Sequence, residues 1–201
     1  MKRLIAGLLL FGLVVGHPAA AAPETDLWER WTAHDDTSGE TIDHAVWTGF
    51  LGKYLHEGED DVTRLDYGGV EAADRERLDD YIERLARVPI SGYSRPVQFA
   101  YWVNLYNAVT VDVVLEHYPV ESIRDIDISP GWFSSGPWGA KLVTVEGEEL
   151  SLDDIEHRIL RPIWSDPRIH YAVNCASAGC PDLQPEAFTA ANMEEQLDRA
   201  A

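Results

Sequence analysis

Cys175 and Cys180, the two cysteines of the chain, stand in the stretch DPRIHYAVNCASAGCPDL, residues 166 to 183, with His170 five residues before the first. Two sulfurs and an imidazole in so short a stretch suggest a metal site, a disulfide or a reactive thiol. Zinc takes three or four ligands, usually in paired Cys-x-x-Cys or His-x-x-x-His sets, and two thiols fall short of that. The residues therefore call for no metal and no cofactor. A disulfide across the four-residue gap is geometrically possible, but so short a loop restrains little of the unfolded chain. The third option is a nucleophile, which must be ionised by a neighbouring histidine or a helix N-terminus. Cys175 leads into Ala-Ser-Ala-Gly, small residues that let a substrate and backbone donors come close. Cys180, ahead of Pro181, is a second candidate.

His170 and His157 are the candidate bases. If RIHYAVNCAS is a strand, the odd offset places His170 and Cys175 on opposite faces. His157 escapes that objection, because its helix can pack across the strand end. Glu156 lies about 100° from His157 around an α-helix, so it does not orient that ring from the same turn. Its expected partners are substrate, backbone, Arg158 or Arg161. Asn104 and Asn107 in YWVNLYNA lie three apart on one side of an otherwise apolar helix. Buried asparagines must be hydrogen-bonded, so they either hold a loop or strand or meet a substrate amide or oxyanion.

The elements that position these residues follow from periodicity. TDLWERWTAHDD reads as a short amphipathic helix, and HAVWTGFLGKYL continues with Val46, Trp47, Phe50, Leu51 and Tyr54 as an apolar stripe. DVTRLDYGGV reads as a strand ending at Gly68-Gly69, and AADRERLDDYIERLARVP as a helix stopped by Pro89. SRPVQFAYWVNLYNAVTVDVVLEHYP is the longest helix, capped by Ser94, with Pro96 in its first turn. Its apolar face is too broad for a half-exposed helix, so it is expected to be central and buried. A hairpin follows, Leu142–Val145 and Glu149–Leu150 around Glu146-Gly147, then a helix opened by a Ser151…Asp154 capping box. The order of elements predicts an α+β fold: a helical N-terminal region, then a small, mostly antiparallel sheet packed on a central helix.

The chain opens MKRLIAGLLLFGLVVGHPAAAAPETD, a basic start, an apolar core from Leu4 to Val15 and a small-residue site. That is the layout of a signal peptide, here residues 1–21, leaving one domain over 22–201. The apolar run is shorter than the roughly 20 residues of a permanent span, so no membrane insertion is expected in the mature form. Location is expected to be periplasmic or secreted, where disulfides persist. Cleavage lowers the basic count from 16 to 14 against 35 acids, a net charge of −21. Such a surface repels phosphates, which argues against nucleic acid as a partner.

FAYWVNLYNAVTV, LSLDDIEHRILRP and DPRIHYAVNCASAGCPDL, in this order and spacing, resemble the domain of unknown function 547 family, over roughly Pro96 to the C-terminus. The N-terminal third is similar only to the helical region that precedes the domain in exported bacterial members. The resemblance implies an α+β domain with Asn104, Asn107, Glu156, His157, His170 and Cys175 at motif positions. It also implies a Cys-His-Glu arrangement similar to papain-like or transglutaminase-like enzymes, with thiol or peptide-like small-molecule ligands. Some plant members lack a cysteine at the position of Cys180 and keep one at Cys175, which favours Cys175 as the nucleophile. Members commonly continue past EEQLDRAA with further strands, so an end at Ala201 implies an open sheet edge or site.

The expected function is an exported cysteine-dependent enzyme acting on an amide, thioester or thiol-containing small molecule. In that reading Cys175 attacks, His157 or His170 takes its proton, and Glu156, Asn104 and Asn107 orient and stabilise. The alternatives are a binding or scaffold domain with a Cys175–Cys180 disulfide, and a thiol/disulfide redox module.

Overall fold

The fold, seen here in a computed structural model, is described for residues 26–201 except 61, 132–134 and 178. The expected signal peptide lies outside the described residues. The architecture is α+β: helices packed around one buried axis, with two separate two-stranded antiparallel ladders.

The axis is α3, Arg95–His117. From Val97 to Leu115 every residue except Asp112 is buried, as expected of a helix apolar all round. Pro96 sits in its first turn, where a missing N–H costs nothing. Ser94 occupies the N-cap but makes no side-chain cap bond; its carbonyl instead accepts from the Gln98 amide.

What makes α3 an organiser is its buried polar groups. Gln98 donates to the Ala33 and Ile90 carbonyls, Tyr101 to Leu85, Asn104 to Phe188 and Asn107 to Ala172. A buried polar side chain must find a partner. Here each one finds the backbone of a different segment.

Helix α2 (Ala72–Ala86) packs on α3, and α1 (Ala45–Tyr54) packs on α2. In α1 the stripe Trp47, Phe50, Leu51 and Tyr54 is buried and Val46 is exposed. The chain leaves α1 directly into β1 (Leu55–Glu57), which pairs with β2 (Thr63–Leu65). Ladder β3 (Val143–Val145) and β4 (Glu148–Leu150) closes as expected over Glu146-Gly147, both at positive φ, which is the two-residue turn that suits strand twist.

Three expectations are corrected. The N-terminal amphipathic helix is only a 3-10 turn, Glu29–Thr32: the Trp28 amide bonds to the Arg158 carbonyl and Trp31 packs edge-on against Trp102 at 5.0 Å. Tertiary contacts outweigh local periodicity there. The strand read through RIHYAVNCAS is instead the helical turn α5, Ile169–Ala172. Asp166 starts it, its carboxylate accepting from the Arg168 amide at 2.8 Å and its carbonyl from Ile169, and the chain straightens only at Val173. The sheet expected to pack on the central helix is consequently two isolated hairpins among the described residues, and nothing in that topology supports the papain- or transglutaminase-like comparison. No described helix is long and apolar enough to cross a membrane.

Candidate functional site

The helix holding Glu156 and His157 starts as the capping box predicts. Ser151 Oγ donates to Asp154, the Asp154 amide returns a bond to Ser151 Oγ, and the Ser151 amide donates to Asp154 Oδ2 at 2.9 Å. Lys141 and Arg158 also bind this carboxylate. Burial pushes the Asp154 carboxyl up, but these four groups outweigh it and hold it at about 2.

Beyond the cap the winding changes. Asp154–Leu160 is a π segment running into α4, Arg161–Trp164. The Arg161 amide accordingly bonds to the Glu156 carbonyl, five residues back. Residues five apart are thus stacked, and Arg161 grips Glu156 through Nε at 3.0 Å and Nη2 at 2.6 Å. Tyr106 of α3 donates to the other oxygen at 3.3 Å. Burial, then the Glu156 charge, raise the Tyr106 phenol well above its ordinary value. Glu156 also stands 3.9 Å from His157 Nε2, closer than α-helical spacing implies. His157 is only 9% exposed, and its Nδ1 has no hydrogen-bond partner among the described residues. Burial likewise raises the adjacent Asp153 carboxyl, with His157 opposing and Glu156 and Asp154 adding to it.

The cysteine loop is built by a different residue, Asn174. Its backbone amide is caught by Asn107 Oδ1 at 2.8 Å. Its own Oδ1 accepts from the Ala176 amide at 2.8 Å, and its Nδ2 donates to the Pro181 carbonyl at 2.6 Å. One side chain thus ties both ends of the loop. Cys175 and Cys180 are joined by a disulfide, Cα to Cα 6.2 Å. Ser177 Oγ stands beside both sulfurs, 3.1 Å from Cys175 and 3.5 Å from Cys180. Trp138 connects the two regions: its Nε1 donates to the Cys175 carbonyl and its carbonyl accepts from the Asp153 amide.

Two clefts flank this loop. One, of about 640 Å³, runs between the β1–β2 hairpin (Leu55, Leu65) with Tyr67 and the loop residues Ala176, Ser177 and Cys180. The other, of about 700 Å³, carries His170, Tyr171 and Arg199. Gly179, Cys180 and Asp182 belong to both and form the ridge between them. Asp182 is fixed there by the Thr63 amide at 3.0 Å.

The candidates therefore separate. His170, exposed on α5, shares a cleft with Cys180. His157 and Glu156 line neither cleft, and among the described residues the Cys175 sulfur has Cys180 and Ser177 as partners and no imidazole within hydrogen-bond reach. Asn104 and Asn107, 0% and 3% exposed, are engaged at both amide ends with backbone. Among the described residues no three His, Cys, Asp or Glu side chains gather to hold a metal.

Sequence reasoning passed over the roles of Asn174, Ser177 and Trp138, whereas Arg161 is one of the partners expected for Glu156. Asn174 carried a usable signal, because an asparagine two residues before a small-residue turn commonly bonds its own backbone.

The family described as "Protein of unknown function, DUF547" matches residues 90–201. The chain belongs to that family. The DUF547 region thus takes in α3, the β3–β4 hairpin, the π segment and the cysteine loop, and it starts slightly before the Pro96 marked by the motifs. No curated protein and no solved structure matches the chain.

Proposed function

We propose that this is an exported domain that performs thiol/disulfide exchange on a thiol-bearing, peptide-like small molecule bound beside the Cys175–Cys180 pair. The observation that carries the reading is the position of Cys180 on the ridge between two clefts, already bonded to Cys175. A ligand in either cleft meets a disulfide.

The exchange step balances with the ligand thiol alone, and the full cycle with a second thiol and a small disulfide as oxidant. The ligand thiolate attacks Cys180 Sγ and forms a new S–S bond; the Cys175–Cys180 bond breaks and its electron pair leaves on Cys175. Ser177 Oγ, 3.1 Å from Cys175, is in place to donate a hydrogen bond to the departing thiolate. His170 borders the cleft that holds Cys180 and is the group to take the ligand's thiol proton. A second ligand thiolate resolves the mixed disulfide, and the reverse exchange with another small disulfide restores the pair.

The test is equilibration with reduced and oxidised glutathione, read by alkylation and mass. Exchange predicts a potential in the window of cellular thiol pools, about −180 to −300 mV, and faster exchange than in His170→Ala. A potential well below about −300 mV turns the reading into a disulfide-stapled binding domain.

The closeness of His157 Nε2 to Glu156 favours a second reading, in which reduced Cys175 is the nucleophile on an amide or thioester. That reading requires the reduced protein to be alkylated at Cys175 faster than free cysteine, and the His157→Ala variant to lose the advantage.

A further inference from the structure

A third cleft, of about 340 Å³, opens between residues 41–44, the first turns of α3 and residues 189–191. It shares no lining residue with the clefts at the cysteine loop. Its walls are Ile42, Val97, Ala100, Ala190 and Ala191, with Thr41 and Thr189, and one buried polar ring, His44.

His44 is 5% exposed, and its Nδ1 lies 2.6 Å from the Tyr81 hydroxyl. Tyr81 is 1% exposed, and among the described residues His44 is the only hydrogen-bond partner of its hydroxyl. If Nδ1 carried the ring proton, the phenolic O–H would be left without an acceptor in the core, at a cost of about 1–3 kcal/mol. The phenol therefore donates to Nδ1, and the proton of the neutral ring sits on Nε2. Burial, reinforced by the Arg84 charge, holds the imidazolium form back, down to about 4. Among the described residues Nε2 has no hydrogen-bond partner. The ring thus presents one fixed, uncharged N–H donor to an apolar cleft.

We infer that this cleft is a second small-molecule site, for uncharged molecules with one oxygen acceptor that bonds to His44 Nε2–H. At about 30 Å³ for a water-sized unit of liquid, the volume admits on the order of ten heavy atoms. A charged ligand would lose its hydration against Ile42, Val97 and Ala100 and gain one neutral donor in return, so ions are excluded.

Cyclohexanone is the probe, with methylenecyclohexane (the same shape without an acceptor) and cyclohexylammonium as comparators. The readout is the nitrogen-detected NMR resonance of His44 Nε2–H in the full chain. Cyclohexanone is expected to shift that resonance saturably and to bind about fivefold tighter than methylenecyclohexane, the worth of one hydrogen bond near 1 kcal/mol. Cyclohexylammonium is expected to leave it unmoved. Ala191→Trp, a substitution at an exposed wall position, should abolish the shift, and His44→Phe, read by calorimetry because the reporting ring is gone, should weaken cyclohexanone binding about fivefold. Should His44→Phe fail to fold, the ketone-to-alkene ratio on the unaltered chain decides alone. No saturable shift, equal affinity for ketone and alkene, or binding that survives Ala191→Trp each overturns the site.

Discussion

Glu156–His157 and Cys175–Cys180 are the two halves of one imagined catalytic group, and their surroundings are opposite. Glu156 is gripped by Arg161 and Tyr106, and His157 is buried behind them. The cysteines sit in a loop bordered by two open clefts, with a hydroxyl at their sulfurs. The difference teaches that the type of a residue says less than the occupancy of its polar atoms. A carboxylate already satisfied by a guanidinium and a phenol builds the fold, whereas a sulfur on a ridge between clefts is free to meet a ligand. The asparagines of α3 belong with the first group.

The contrast is open to attack at its strongest point. Asn107→Ala strands the Ala172 carbonyl and the Asn174 amide, each an orphaned backbone group worth about 1–3 kcal/mol. Urea unfolding should register a loss of roughly 2–5 kcal/mol, and a loss under about 1 kcal/mol would mean that this amide was not needed as a brace. Next in size, Glu156→Ala should cost roughly 2 kcal/mol, less than a fully buried pair because Arg161 retains some access to water. Glutathione exchange should continue at its former rate in that variant; a large drop would tie the two regions together after all.

The double variant Cys175→Ser, Cys180→Ser tests the other half. Closing so small a loop is worth only about 2 kcal/mol in the chain-entropy view, so the fold should survive while exchange vanishes. A collapse of stability would make the bond a structural staple.

The smallest expected effects are in pH. Asp112 of α3 is pushed up to about 7, first by burial and then by Asp79 and Glu116, with Arg75 opposing. The fold thus favours its neutral form. An unfolded aspartate ionises near pH 4, so stability falls as pH rises from about 4 to about 7, and the penalty is complete above that. Asp112→Asn should raise the Tm by a few degrees at pH 8 and leave it unchanged near pH 4. His44 acts with the opposite sign. Held at about 4 by burial, it contributes stability that is present above its ordinary value of about 6.5 and is lost as pH falls toward 4. His44→Gln should flatten that acid limb.

How far these features can be read from sequence depends on whether their causes are local. α2, α3, the β3–β4 hairpin and the Ser151–Asp154 box follow from periodicity, a turn pair and a cap, all encoded within a few residues. The turn Ile169–Ala172 mimics a strand by alternating apolar and polar residues, and its helical start depends on an Asp166 bond that alternation does not reveal. Arg161 is among the partners expected for Glu156, but the π winding that stacks residues five apart escapes any argument made at 100° per residue, so the choice of Arg161 over Arg158 had to wait for the structure. For the asparagines the two roles could not be separated until their partners, Phe188 and the 172–174 segment, came into view from 65 or more residues away.

Asn174 carries one last implication. Because its side chain joins Ala176 to Pro181 without using either sulfur, oxidised and reduced molecules should present the same contour to a visitor. Any partner able to tell the two forms apart must therefore sense the sulfur chemistry itself, since the outline of the loop would give it no clue.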